Sequence, residues 1–205
     1  MSRTRSRAAT SSGLHKPTRA ELLAAEGKAI ADVIAPDLRV LFVGINPGLY
    51  SGATGHHFAR PGNRFWPALH AAGFTDRLLH PSEKRMLLER GYGVSNLVNR
   101  ATATADELEP AEFPAGRKRL AAKVRRYRPR IVAFLGMGAY CHAFGLKSAK
   151  VGRQSASFEG AAVWVLPNPS GLNASFPGFA DKLVWYERLR AFVEAGSRRR
   201  DEGSW

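Results

Sequence analysis

Residues 39–66 read R-V-L-F-V-G-I-N-P-G-L-Y-S-G-A-T-G-H-H-F-A-R-P-G-N-R-F-W, and this stretch decides the fold. Residues 40–43 are an unbroken apolar run of β-formers, the composition of a strand buried on both faces of a parallel sheet. Gly44 ends the run. Pro47 then forbids a continuing central strand, and Gly44, Gly48, Gly52 and Gly55 let backbone approach a ligand closely. Asn63 is positioned to cap a helix running through Phe65, Trp66, Leu69 and His70 and ending near Gly73. The order is strand, loop, helix. Open α/β sheets bind ligands beyond the carboxyl ends of their strands, so the loop is a binding surface with Asn46 as its first polar side chain.

Working outward, residues 81–90 suit a second helix and residues 92–98 a short strand, followed by a polar loop over 99–109. A helix over 115–127 places Leu120, Val124 and Tyr127 on one face and a cluster of Arg and Lys on the other, which we take as a solvated face. Residues 130–135 repeat the first apolar run. Gly136-Met137-Gly138 turns it into a helix over 139–144, residues 163–166 form the last strand, and a helix over 179–193 closes the domain. Strands alternating with helices predict a three-layer α/β/α sandwich around a short, mostly parallel central sheet. One domain over 31–195 is expected, between basic ends at 1–30, largely disordered, and at 196–205, with a short helix at 20–30.

The charge points to a polyanion. There are 31 Lys and Arg against 17 Asp and Glu, a net +14. Residues 1–28 hold six basic residues against two Glu, and residues 196–205 three against two acids, so the ends carry +5 and the body +9. Nucleic acid is the expected partner, because no amphipathic helix with aromatic anchors accompanies the charges. No apolar run approaches the ~18 residues of a membrane span, and no signal-peptide core is present. Cys141 is the only cysteine, which excludes an intramolecular disulfide. An intracellular, nucleoid-associated monomer is expected.

Several site chemistries fail on spacing. G-x-N-P-G matches neither dinucleotide nor P-loop patterns and has no Lys to reach a phosphate. Ser170 lacks the flanking glycines of a nucleophile elbow. His56, His57, Cys141 and His142 form no metal-ligand pattern. No metal and no cofactor are expected.

G-I-N-P-G, then G-x-x-F-A-x-P-x-N-R-F-W, then L-P-N-P-S-G-L-N at 166–173, resemble the mismatch-specific uracil/thymine DNA glycosylases of the uracil-DNA glycosylase superfamily, over roughly residues 34–193. The resemblance implies hydrolysis of the N-glycosidic bond of a flipped base in double-stranded DNA. It implies that Asn46 holds the attacking water, that Ile45, Phe58 and Ser51 bind the base with Phe58 as stacking platform, and that Leu172 is a wedge. Asn168, Ser170, Gly171 and Asn173 complete the wedge loop, with backbone groups offered to the opposite guanine. Asp106 has two readings from its position: an auxiliary catalytic carboxylate, or a helix cap in T-A-D-E-L. The alternative to catalysis is a mismatch-binding protein that does not cut.

Overall fold

The computed structural model describes residues 16–171 and 175–201, with side chains described as far as residue 196. Its centre is a five-stranded sheet of β1 (Val40–Gly44), β2 (Tyr92–Asn96), β3 (Ile131–Leu135), β4 (Gly152–Phe158) and β5 (Ala161–Leu166), in the order β2-β1-β3-β5-β4. Only β4 is antiparallel to its neighbour. The expected mostly parallel α/β architecture is present.

Strand alternation builds two cores. Val40 and Phe42 of β1, Ala133 and Leu135 of β3, and Trp164 and Leu166 of β5 face one side, against α3 (Phe65–Ala71), α4 (Met86–Glu89) and α7 (Phe179–Asp201). Leu41, Val43, Val132, Phe134, Val163 and Val165 face the other, against α5 (Glu112–Tyr127) and α6 (Met137–Phe144). β1, β2 and β3 are buried along their whole length, the environment that an unbroken apolar run requires. The chain leaves β1 for β2 on one side and later returns to β3 on the other. The crevice between the ends of β1 and β3 is therefore a topological switch point.

Several boundaries differ from expectation. The helix expected over 81–90 is a 3₁₀ turn, Pro81–Glu83, followed by the single turn α4. Near the chain start, α1 covers only Arg19–Leu23, capped by Thr18 and Glu21, and α5 begins earlier than expected. α7 runs on to Asp201, past the expected domain edge at 195. β4 was not legible, because G-R-Q-S-A-S-F is an edge strand with mostly exposed side chains. A two-residue hairpin joins it to β5 through Glu159 and Gly160, both at positive φ, which matches the twist of antiparallel strands.

Candidate active site

A cavity of about 540 Å³ opens at the carboxyl end of β1, lined by Gly44, Asn46, Ser51, Phe58 and Asn96, with Asn168 and Ser170 on its far wall. An adjoining cavity of about 360 Å³ lies towards the start of α6 and is lined by Asp106, Gly136, Met137 and His142. Ile45, Ala105, Leu135, Asn168 and Ser170 border both. The two form one cleft at the switch point.

Asn46 is held by the loop that follows β2. Past its last paired residue β1 keeps contact with that loop: Leu97 N donates to Gly44 O, Val98 N to Ile45 O, Thr102 N to Pro47 O, and Leu49 N to Thr102 O. Asn46 Nδ2 donates to Arg100 O at 3.1 Å and to Thr102 Oγ1 at 2.6 Å. A carbonyl only accepts, so the end of the amide facing Arg100 must be the NH₂. Thr102 Oγ1 spends its own hydrogen on Thr104 O at 2.6 Å, leaving a lone pair for Asn46. Oδ1 accepts no hydrogen bond from the described residues and can take a water hydrogen. The loop itself is clamped by a two-pronged ion pair from Arg100 to Glu112, whose carboxyl the guanidinium holds at about 2.

Phe58 has φ +54, a conformation that bulky side chains rarely adopt. Its ring centroid lies 4.3 Å from that of Phe65, and Trp66 Nε1 donates to the preceding carbonyl, His57 O. The left-handed turn thus aims an aromatic ring into the cavity while its neighbour His57 is buried. Ser51, on the short helix α2 (Leu49–Thr54), accepts from Ala59 N through Oγ at 3.3 Å, so this side chain braces the loop and keeps a hydrogen to donate. Ile45 lines both cavities.

Asn96, His57 and Thr102 belong to the site and were missed in the sequence. Asn96 closes β2 beside Gly44, is almost fully buried, and its Nδ2 lies 3.4 Å from His57 Nδ1. A Cβ on residue 44 would stand 2.7 Å from Asn96 Oδ1 and 3.2 Å from Phe58 Cζ. Only glycine leaves that gap open. The available signal was a polar pair, Ser95-Asn96, ending a buried strand next to β1.

Asp106 is not a cap. Thr104 starts the 3₁₀ turn Ala105–Glu107, and Glu107 carboxylate oxygens accept from Thr104 N and Ala103 N at 3.0 and 3.2 Å. Asp106 is exposed on that turn and lines the adjoining cavity. On the opposite wall, Asn168 Oδ1 accepts from Ser170 N at 2.9 Å, Arg64 N donates to Pro169 O, and Gly171 is exposed. Gly136, at φ +117, lets the β3 turn approach Asn168. Leu172 and Asn173 lie outside the described residues. Among the described residues no group of three or more His, Cys, Asp or Glu is placed to hold a metal, and no helix is long and apolar enough to cross a membrane.

The switch-point cleft thus brings a hydrogen-bonded amide, Asn46, and an aromatic ring, Phe58, to one cavity of a mostly parallel α/β fold. The chain belongs to the uracil DNA glycosylase superfamily, whose family model matches residues 31–190. The fold is shared with the solution NMR structure of a candidate uracil DNA glycosylase from Methanosarcina acetivorans, with TM-score 0.52 and 18% identity, covering 82% of this chain and 98% of that one. Membership of this superfamily brings DNA glycosylase chemistry, hydrolysis of an N-glycosidic bond.

Proposed function

We propose that the protein is a monofunctional, mismatch-specific DNA glycosylase that removes flipped uracil from opposite guanine in duplex DNA and leaves an abasic site for base excision repair. Thymine and modified cytosines opposite guanine are further candidate substrates. The observation that carries this is Asn46: both amide hydrogens are committed to the Arg100–Thr102 loop, and Oδ1 is left at the head of a cavity containing Phe58.

Breaking the bond from C1′ to N1 puts positive charge on the sugar and negative charge on the base, and both need stabilisation. Phe58 replaces the stacking lost on extrusion, worth about 1–3 kcal/mol. The free Ser51 hydroxyl hydrogen and backbone N–H groups around Ile45 and Phe58 donate to the base oxygens as it departs, and Asn46 Oδ1 orients the water. An amide cannot remove the proton, so the rate rests on positioning and on leaving-group quality. Uracil leaves more readily than thymine, and a G·U wobble opens more cheaply than a Watson–Crick pair.

In this scheme Leu172 fills the vacated stack, while Gly171 and Asn173 address the widowed guanine. Asp106, exposed in the adjoining cavity next to Ala105, which borders both, contributes charge near the sugar cation rather than proton transfer. The enzyme acts as a monomer, without metal or cofactor, inside the cell.

A single-turnover assay on a duplex with one central G·U pair, followed by alkaline strand cleavage, tests this. Strand breaks at the uracil support it. Tight binding of the mismatch with no alkali-labile product would instead identify a non-catalytic mismatch-binding protein.

A further inference from the structure

We propose that the groove between α5 and α6 is a single-strand path: it takes the backbone of an unpaired DNA flank that leaves the cleft past His142, so that the enzyme favours a mispaired uracil beside a single-strand junction. This rests on the cleft being a base site in DNA.

The groove holds about 670 Å³, with Arg117, Lys118 and Arg125 of α5 on one side and His142, Phe144 and Glu159 on the other. Residues 114, 117, 118, 121 and 125 are related by steps of three and four, so they share one face of α5. From Arg117 to Arg125 the helix rises about 12 Å. That length meets about three phosphates at a strand spacing of about 3.4 Å. All three cations are exposed. Arg125 pairs with Glu159 at 2.9 Å, whereas neither Arg117 nor Lys118 has a carboxylate partner among the described residues. Arg117 lies 5.2 Å over the Phe144 ring instead. Three cations against one carboxylate leave the groove at +2.

A polyanion fits this charge, and two features favour one DNA strand over a duplex or an acidic peptide. The first is that the cations form one rail. The opposite wall, α6, carries no Lys, Arg, Asp or Glu, and a duplex would bring two backbones. The second is continuity with the cleft. His142 lines both the groove and the adjoining cavity, and its exposed ring stacks on Phe113 at 4.1 Å and 8°. Single-strand sites pair a basic groove with aromatic faces on which bases stack, and this ring stands where the base next to the extruded one would arrive. A peptide has no need of a route into the base cavity. Asp106 lines the cavity above His142, so phosphates are repelled from that wall and drawn towards α5.

The test uses three DNAs, each with one G·U pair: a blunt duplex with the pair at its centre, and two forks in which the uracil strand runs on unpaired from the 5′ or the 3′ side of the pair. Uracil at a junction is easier for any enzyme to extrude, so the quantity read is the fork-to-blunt ratio of half-saturating enzyme concentrations in single-turnover excision, wild type against Arg117→Gln/Lys118→Gln. The variant should lose about 10-fold of the preference for one fork, with excision from the blunt duplex unchanged. Its log–log salt slope on that fork should be shallower by about 1.4, at about 0.7 per phosphate contact. Arg119→Gln/Arg126→Gln removes the same charge from α5 outside the groove and should keep the preference within about 2-fold.

An active enzyme whose fork-to-blunt ratio is the same in wild type and both variants overturns the path alone, and is the outcome expected if the groove holds an acidic peptide. Equal losses in the two variants reduce the effect to overall charge and overturn it as well. A wild type that excises uracil from none of the three DNAs overturns the base-site reading and the path with it.

Discussion

The two walls of the cleft are built on opposite terms. On the inner wall, Asn46, His57 and Asn96 are buried or half-buried, and their donors are assigned to particular acceptors: Arg100 O and Thr102 Oγ1, Ala31 O, and His57 Nδ1. On the outer wall, Asp106 rides a single exposed 3₁₀ turn whose capping uses its neighbours Thr104 and Glu107. The stronger base is on the looser wall. A carboxylate would be the better proton acceptor, yet this fold spends its polar partners on orienting a neutral amide. On the proposed function, catalysis would depend on position more than on basicity, and the walls should respond unequally to substitution.

The largest contrast should come from the inner wall itself. Asn46→Ala is expected to lower single-turnover uracil excision by roughly 10²-fold or more while leaving duplex binding nearly unchanged, since a positioning group is lost and no DNA contact is. Equal losses for Asn46→Ala and Asp106→Asn would erase the distinction between the walls.

Burial of the inner wall also has a pH signature. The His57 pKa is about 4 folded against an ordinary 6.5, so between these values the unfolded chain binds the extra proton. Stability from this group is complete above about pH 6.5 and is lost as pH falls towards 4. The linkage amounts to about 3 kcal/mol at most. Urea unfolding of wild type and His57→Leu across this range should show a loss in wild type that the variant lacks. Parallel curves would mean that His57 titrates freely.

A smaller effect is expected one shell out. Thr102→Val removes the acceptor for one Asn46 hydrogen and should lower kcat about 10-fold with little change in KM, and Thr102→Ser should restore it. Failure of serine to rescue would assign the loss to packing.

Least sensitive should be the outer wall. Asp106→Asn is expected to slow excision only about 3-fold, as loss of an exposed charge near the sugar would, with thermal stability unchanged. A loss approaching 10²-fold would make Asp106 a catalytic base and reverse the comparison.

How much of this was visible beforehand depended on where each residue's partners lie in the chain. The apolar runs at 40–43, 130–135 and 163–166 could be identified as buried parallel strands because hydrophobic periodicity is a local property, and a strand covered on both faces has no polar side to show. β4 defeated the same test, since an edge strand makes contact mainly through its backbone and leaves little mark on its side chains. The T-A-D-E-L turn was recognised, but Asp106 was weighed as its cap, because capping by Thr104 with Glu107 differs from capping by Asp106 only in backbone angles.

Within the site, the sequence by itself determined a polar side chain on a glycine-rich loop after a central strand, and a family resemblance naming Asn46 and Phe58. It also determined the charge that a nucleic-acid partner requires. Only the tertiary structure decided which way the amides of Asn46 and Asn96 point. Asn46 is oriented by residues 100 and 102, and Asn96 by His57, which is itself set by Ala31. These partners lie tens of residues apart in the chain, and a hydrogen-bond direction is fixed only when the folded backbone brings an obligate acceptor to one end of a side chain that is locally free to turn either way.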